Sequence, residues 1–244
     1  MHRFFIRSSS ILKDKIIISD PQTVHHIRDV LRLKKKEEVV LCDEKGWEYT
    51  CVIEELAGQI KFRLKEKHMA VKREDKPLLC VACAIPKKAK MGDIIDKLTQ
   101  LGVDRIISLK TERVVVKIDK NKEVLLRRRW EKISLSAAEQ SQRNSPMLIE
   151  ALTDFKKALS ACAGYDLKLI PTLSGDRRPL KEVLDKTRPT SILFFIGPEG
   201  DFTEKEIELA RQAGCIPVSL GDLVLRVDTA AVAVAGYIRL YFQV

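Results

Sequence analysis

A tight turn, Gly197-Pro198-Glu199-Gly200, follows directly on the apolar segment SILFFI (191–196). The segment is rich in strand-forming residues and bounded by turn residues, which predicts a buried strand. After the turn, Thr203 and Glu206 have the spacing of a capping box, and the helix that they begin is predicted to end at Gly214. Open α/β sheets bind ligands in loops at the carboxyl ends of their strands. The turn is therefore a candidate ligand site; the alternative is a turn that only connects a strand to a helix.

The chemistry of a ligand at this turn is limited by exclusion. The sequence contains no G-x-x-x-x-G-K-[ST] phosphate loop, and no G-x-G-x-x-G motif follows a strand. Glu199 would also repel a pyrophosphate group. The turn thus favours a ligand with little negative charge, or a cation.

A second loop, SLGDLVLR (219–226), follows the next predicted strand and leads into VDTAAVAVAGYIRLYF (227–242). The last segment is apolar nearly all the way round, so a helix formed there must be buried. Two candidate ligand loops therefore lie directly before a buried helix at the end of the chain.

The elements that would position these loops alternate between strand and helix from residue 78 onward. This alternation predicts a mostly parallel sheet with helices on both faces. The further predicted strands are LLCVACAIP (78–86), DRIISLKTERVVV (104–116), LKLIPTL (167–173) and CIPVSL (215–220), and the helices are MGDIIDKLTQLG (91–102) and RRRWEKISLSAAEQSQR (127–143).

The first 70 residues have a different pattern, of short alternating strands around one helical segment, HHIRDVLRL (25–33). The predicted strands are KIIIS (15–19), EEVVLCDE (37–44), WEYTCVIEEL (47–56) and IKFRLKEK (60–67). The polar cluster VKREDKP (71–77) breaks this pattern. We expect a small β-barrel domain over 1–72 and an α/β domain over 73–244.

The formal net charge is +10 and the pI is about 9.3, which favours a polyanionic partner, nucleic acid above all. Arg28 and Arg32 are spaced to share one helix face, next to Lys34, Lys35 and Lys36. A second cluster, Arg127 to Arg129, precedes Trp130. The alternative is that these side chains are simply solvated.

No apolar run approaches the roughly 18 residues of a membrane span, and MHRFFIRSSS is too short and interrupted for a signal peptide. We therefore expect a cytoplasmic protein. The six cysteines have no disulfide framework, and the single C-x-x-C, Cys80 and Cys83, has no second pair or histidines to complete a zinc site. We expect reduced, buried thiols and no metal.

The two loops together carry a family resemblance. LFFIGPEGDFTEKEIELARQAG (193–214), followed by PVSLGDLVLRVDTAAVAVAGYI (217–238), resembles the paired signature of the RsmE family, uridine-N3 methyltransferases of small-subunit ribosomal RNA within the SPOUT superfamily. Further similarity covers LTQLGVDRIISLKTERVVVK (98–117), WEKISLSAAEQSQRN (130–144), HHIRDVLRL and the RFF at residues 3–5. Two positions depart from the pattern: Asp201 replaces a usual glycine, and LRVDTA replaces LRTETA, with Val227 and Asp228.

The resemblance implies an α/β fold whose C-terminal SPOUT domain has a mostly parallel sheet and a deep trefoil knot, after a PUA-like RNA-binding β-barrel. It implies S-adenosylmethionine as cofactor, 16S ribosomal RNA in the small ribosomal subunit as partner, and a homodimer to which the helix at 130–142 contributes. The implied cofactor-binding residues are Leu173, Ile196, Gly197, Pro198, Glu199, Gly200, Leu220, Gly221, Leu225, Thr229 and Ala230.

The resemblance also implies that Arg143 and Asn144 act on the substrate, with Arg143 reaching a phosphate or the base; the alternative is an ordinary capped helix end. Methyl transfer to uridine N3 needs a base or a cation, because N3 carries a weakly acidic proton. Arg226 and Asp228 are the natural pair, unless Asp228 only caps the last helix. The predicted RNA contacts are Arg3, Arg28, Arg32, Lys34 and Lys35.

Two other functions fit the same residues. One is methylation of another nucleotide, for example in transfer RNA. The other is RNA binding without catalysis, which the intact GPEG and LGDLVLR loops argue against.

Overall fold

The computed structural model describes residues 1–12, 15–70, 76–87, 90–113, 118–173 and 175–242. The chain forms two compact units. The first contains the residues before the polar segment 71–75 and also Ala138–Ser145, and the second contains the remainder. Most of the segment at which we predicted the domain boundary, 71–77, lies outside the described residues.

The first unit is built on a six-stranded sheet in the order β1-β4-β5-β6-β3-β2. Neighbouring strands are antiparallel except β1 and β4, which are parallel. The strands are β1 (His2–Ile6), β2 (Ile11–Leu12), β3 (Lys15–Ile18), β4 (Glu38–Asp43), β5 (Trp47–Leu56) and β6 (Ile60–Met69). The four predicted strands are confirmed as β3 to β6, whereas β2 and β1, in which Phe4 is buried, were not predicted.

The helical segment of the first unit starts earlier than predicted. Helix α1 (Pro21–His25) begins where the Asp20 carboxylate accepts the backbone N–H of Thr23 at 2.8 Å, and a π-helical turn, His26–Val30, follows. Arg32 lies beyond this turn, with φ of 55°. The predicted i,i+4 pairing of Arg28 with Arg32 on one helix face is therefore wrong, because the helix ends before Arg32.

The second unit contains the predicted parallel sheet, in the order β10-β8-β7-β13-β11-β14-β12, with β9 also paired to β8. Every pairing found among its described strands is parallel. The strands are β7 (Leu78–Ala84), β8 (Arg105–Lys110), β9 (Leu148–Ile149), β10 (Thr153–Asp154), β11 (Leu167–Pro171), β12 (Arg178–Pro179), β13 (Ser191–Ile196) and β14 (Ile216–Ser219). The end of the strand predicted over 104–116 includes 114–116, which lie outside the described residues.

Helices cover both faces of this sheet. They are α2 (Met91–Gln100), α3 (Lys120–Gln140), α4 (Phe155–Ser160), α5 (Leu180–Asp185), α6 (Glu204–Gln212) and α7 (Val227–Tyr241). Side chains of β13 alternate between two cores: Phe194 packs with residues of α2, α3, α5 and α7, and Phe195 with residues of α4 and α6. Helix α3 begins at Lys120, well before the predicted start at residue 127.

A helix at this end of the chain is confirmed, but the expectation that it is buried all round is wrong, because only one face is buried, with Val227, Ala231, Val234, Ala235 and Ile238, whereas Leu240 is 67% exposed. A single arginine fixes its last turns. Arg239 of α7 donates hydrogen bonds to the carbonyl of Pro77 at 2.8 Å, to the carbonyl of Gly102 and to the carboxylate of Asp104 at 2.9 Å. Asp104 in turn accepts the N–H of Leu79 at the start of β7. The knot implied by the family resemblance stays a prediction.

Cys80 and Cys83 belong to the two opposite cores of β7, as the odd spacing predicts. Burial raises the pKa of Cys80 to about 11 and that of Cys83 to about 12, so both are protonated at neutral pH. All six cysteines are free and buried, which confirms the expected structural thiols. In the part of the chain that the structure describes, no His, Cys, Asp and Glu cluster could hold a metal, and no helix is long and apolar enough to cross a membrane.

Candidate active site

Three loops of the second unit meet at the carboxyl ends of β11, β13 and β14. Strand β11 pairs in parallel with both of the others, so the three strands end at the same edge of the sheet. The loops line a cleft that is open to solvent and mainly apolar. This is the position at which open α/β sheets bind ligands.

Most of the predicted cofactor residues line the cleft. They are Leu173, Ile196, Gly197, Pro198, Glu199, Leu220, Gly221, Leu225 and Ala230. Gly200 and Thr229 are exposed and do not belong to the lining. The sequence prediction missed Pro171, Thr172, Arg177, Asp201, Leu223, Val224 and Val227.

The GPEG turn is held in a single conformation. The N–H of Asp201 donates to the carbonyl of Pro198 at 3.0 Å, and Arg113 donates to the carbonyl of Gly200. A Cβ added at Gly197 would lie 3.1 Å from the ring of Phe202, so a side chain there would displace this buried ring. The opposite loop needs a glycine for another reason, because Gly221 has φ of 109°.

Glu199 has a structural contact that the sequence did not predict. Its carboxylate accepts the backbone N–H of Lys87 at 2.9 Å. The turn after β13 is thereby joined to the loop after β7, the neighbouring strand.

The start of α7 places a charged pair beside the cleft. Arg226 is the residue before the first helical turn and is exposed, and Asp228 is the second residue of the helix. Nζ of Lys90 lies 3.0 Å from Oδ2 of Asp228. Asp228 is thus paired with Lys90, and Arg226 takes the N-cap position, so the alternative that Asp228 is the N-cap residue is wrong. The joint role of Arg226 and Asp228 in catalysis stays a prediction.

The hydrogen bond from Lys90 lowers the pKa of Asp228 below its ordinary value, and the backbone N–H of Thr229 adds to this effect. Asp228 is consequently ionised at neutral pH and is a weak base. Lys90 was missed because it is far from Asp228 in sequence. Lys90 follows β7, which lies next to β13 in the sheet, and this order could have indicated that Lys90 lies near the candidate site.

Arg143 and Asn144 belong to the first unit, together with residues at the start of the chain. Oδ1 of Asn144 accepts from Arg3 at 3.1 Å, and the same guanidinium pairs with Glu48 at 2.7 Å. The side chain of Arg3 is only 12% exposed. Its charge is already paired inside the protein, which argues against the predicted contact of Arg3 with RNA. The backbone N–H of Arg143 bonds to the carbonyl of Ala138 and ends α3.

The remaining predicted RNA contacts lie on the surface of the first unit. Arg32, Lys34 and Lys35 are exposed. Arg28 is exposed as well, but its guanidinium pairs with Asp29 at 2.8 Å, so part of its charge is compensated.

We predict that Lys90→Met raises the pKa of Asp228 towards its ordinary value. In the wild type, the stability that Asp228 contributes is fully present above its unfolded-state pKa of about 3.9 and is lost as the pH falls through the lower folded-state pKa. Removing the ammonium group should shrink this contribution. Carboxyl NMR titration of Asp228 measures the shift, with Lys97→Met, an exposed lysine of the same helix α2, as control. An unchanged titration in Lys90→Met would contradict the pairing.

Comparison with known proteins identifies the family. A family model for an RNA methyltransferase domain matches residues 73–239, and one for an RNA methyltransferase PUA domain matches residues 18–66. The ribosomal RNA small subunit methyltransferase E of Rickettsia conorii is 30% identical over 244 residues, which cover 98% of this chain and 95% of the relative.

Two solved structures agree along almost the whole chain. A Legionella pneumophila protein with bound cofactor SAM is 29% identical, with a TM-score of 0.85 and coverage of 98% of this chain and 96% of that one. The ribosomal RNA small subunit methyltransferase E of Neisseria gonorrhoeae, bound to S-adenosyl methionine, is 27% identical, with a TM-score of 0.83 and coverage of 98% and 97%. The chain thus belongs to the RNA methyltransferase family that includes ribosomal RNA small subunit methyltransferase E, the RsmE family.

Proposed function

We propose that this protein transfers a methyl group from S-adenosylmethionine to N3 of a specific uridine in 16S ribosomal RNA of the small ribosomal subunit, in the cytoplasm. The observation that carries the proposal is the cleft formed by three convergent loops in a chain of this family. The SAM-bound structures to which the chain is similar support the choice of cofactor.

The residues of the cleft fit such a cofactor. Apolar side chains, among them Ile196, Leu220 and Leu225, offer walls for an adenine ring. Gly197 and Gly221 keep the backbone of the two opposing loops free of side chains. Arg177, which also lines the cleft, offers a positive charge to the carboxylate of the methionine part.

When bound, S-adenosylmethionine supplies an electrophilic methyl group attached to a sulfonium. The S–CH3 bond breaks as the N3–CH3 bond forms, and the N3 proton passes to solvent water, to which the cleft is open. The chain must orient the uridine and stabilise the negative charge that develops on the base in this step. Arg226 and Lys90 are the cations at the start of α7 that suit this role. Asp228, a weak base with a lowered pKa, acts in this proposal by positioning Lys90 and not by removing the proton.

We predict that Arg226→Ala and Asp228→Asn each slow methylation of 30S subunits by on the order of a hundredfold. Arg226→Ala removes a charge that stabilises the base, and Asp228→Asn releases the lysine. Both variants should keep their fold and their affinity for S-adenosylhomocysteine, because neither side chain lines the cleft. Asp96→Asn on α2, whose carboxylate accepts only a surface hydrogen bond from Gln100, is the control.

Mass spectrometry of the digested RNA measures both the rate and the modified atom. N3-methyluridine in 16S RNA is the expected product. A wild-type protein that modifies transfer RNA or another base would contradict the proposed substrate, and one that modifies no RNA would support binding without catalysis. Near-normal turnover in both variants would remove Arg226 and Asp228 from the mechanism.

The proposed RNA platform is the exposed basic surface of the first unit, namely Arg28, Arg32, Lys34 and Lys35. The match of residues 18–66 to the PUA domain of RNA methyltransferases supports this assignment. Arg143 and Asn144 remain proposed contacts to the substrate, with Asn144 held by Arg3. Arg3 is left out because Glu48 neutralises it.

A homodimer is also proposed, but through a different helix from the one we first predicted. Ala137 and Ala138 of the predicted apolar face of α3 are buried within the chain, and Leu135 of that face is only 36% exposed. More strongly exposed apolar side chains lie at Leu240 of α7 (67%) and in the preceding loop at Leu223 (79%) and Val224 (74%). Apolar groups exposed to this extent are typical of a surface that another copy covers.

We predict that light scattering gives twice the chain mass of 27.7 kDa for the wild type. Leu240→Glu should shift the protein towards the monomer, since it puts a charge on the proposed contact surface. Leu125→Glu, at an equally exposed leucine of α3 (66%), should leave the dimer intact. A stable, active wild-type monomer would contradict the homodimer. Dissociation by Leu125→Glu but not by Leu240→Glu would show that the dimer contact lies on α3.

A further inference from the structure

Asp201 has a left-handed backbone conformation at the edge of the cleft. Its φ is 61°, in a region that favours glycine and that aspartate adopts more readily than most side chains. The other non-glycine residues with positive φ in the described chain are Arg32, Lys36 and Gln142, and none of them lines the cleft. At Asp201, therefore, a glycine-like turn carries a carboxylate at the cleft.

The carboxylate of Asp201 joins two of the three cleft loops. Oδ2 accepts the backbone N–H of Leu173 at 2.8 Å and the hydroxyl of Thr172 at 3.0 Å, both in the loop after β11. Oδ1 accepts the N–H of Phe202 at 2.8 Å, just after the GPEG turn. One side chain therefore sets the position of the β11 loop against the turn after β13.

A second side chain holds the same peptide group from its other end. Arg177 donates to the carbonyl of Thr172 at 2.9 Å. The C=O and the N–H of the peptide bond between Thr172 and Leu173 are thus both bonded to side chains that line the cleft. The side chain of Leu173, which is 48% exposed, forms part of the wall that this peptide carries.

We propose that Asp201 is a positioning residue that fixes the β11 loop in its binding conformation before the cofactor arrives. A loop that is ordered in advance does not lose conformational freedom on binding, so affinity rises without any direct contact between Asp201 and the ligand. This inference rests on the proposed function, because the ligand it concerns is S-adenosylmethionine.

The test compares three variants by calorimetric titration with S-adenosylhomocysteine and by amide hydrogen exchange of the free protein. Asp201→Gly removes the carboxylate and suits the backbone conformation, so we expect a folded protein with about tenfold weaker binding. The amide of Leu173 should exchange faster in this variant before any ligand is added. Asp201→Asn keeps one acceptor oxygen, so its affinity for S-adenosylhomocysteine should fall by only about threefold.

Lys36→Gly is the matched control, since it places glycine at an exposed positive-φ position (72°) of the first unit. Lys36→Gly should bind S-adenosylhomocysteine with the affinity of the wild type. In steady-state kinetics, Asp201→Gly should raise KM for S-adenosylmethionine about tenfold and leave kcat within about twofold.

The outcomes separate the two proposals. Wild-type affinity in Asp201→Gly would overturn the role of Asp201 and leave the proposed function intact. No binding by the wild type would overturn both. Should Asp201→Gly fail to fold, an Asp201→Asn variant with wild-type affinity and wild-type exchange of Leu173 would overturn the role of Asp201.

Discussion

The parallel pairing of β11 with both β13 and β14 is the constraint on which the site depends. Leu169 of β11 is in register with Phe194 on one side and Ile216 on the other, so the three strands are aligned with one another. Phe194 and Phe195, both fully buried, anchor β13 in the two opposite cores. With the strands fixed in this way, the loops that follow them have to meet, and the cleft results.

Acidic side chains then fix the loops by accepting backbone N–H groups from distant segments. Hydrogen bonds from N–H groups to carboxylates are stronger than those between neutral groups. The bonds join Glu199 to Lys87, Asp201 to Leu173, Asp104 to Leu79, and Glu206 to Glu112.

Local patterns predicted the parts of the structure that local interactions determine. The turn and helix after β13 were predictable because the capping box at Thr203 and Glu206 acts over three residues. The pairs Lys90 with Asp228 and Arg3 with Glu48 were not, since folding brings them together from 138 and 45 positions apart. Asp201 was noticed only as a departure from the family pattern, and its contacts to the β11 loop depend on the sheet order.

Calorimetric titration of S-adenosylhomocysteine into Gly221→Leu tests whether the convergent loops hold S-adenosylmethionine. Gly221 lines the cleft with φ of 109°, so leucine there both strains the loop and occupies the ligand's space. Gly58, in the first unit, has no atom within 4 Å of an added Cβ, which makes Gly58→Leu the control. We expect Gly221→Leu to lose binding of S-adenosylhomocysteine and Gly58→Leu to keep it. Full binding by a folded Gly221→Leu would contradict a cofactor site at these loops.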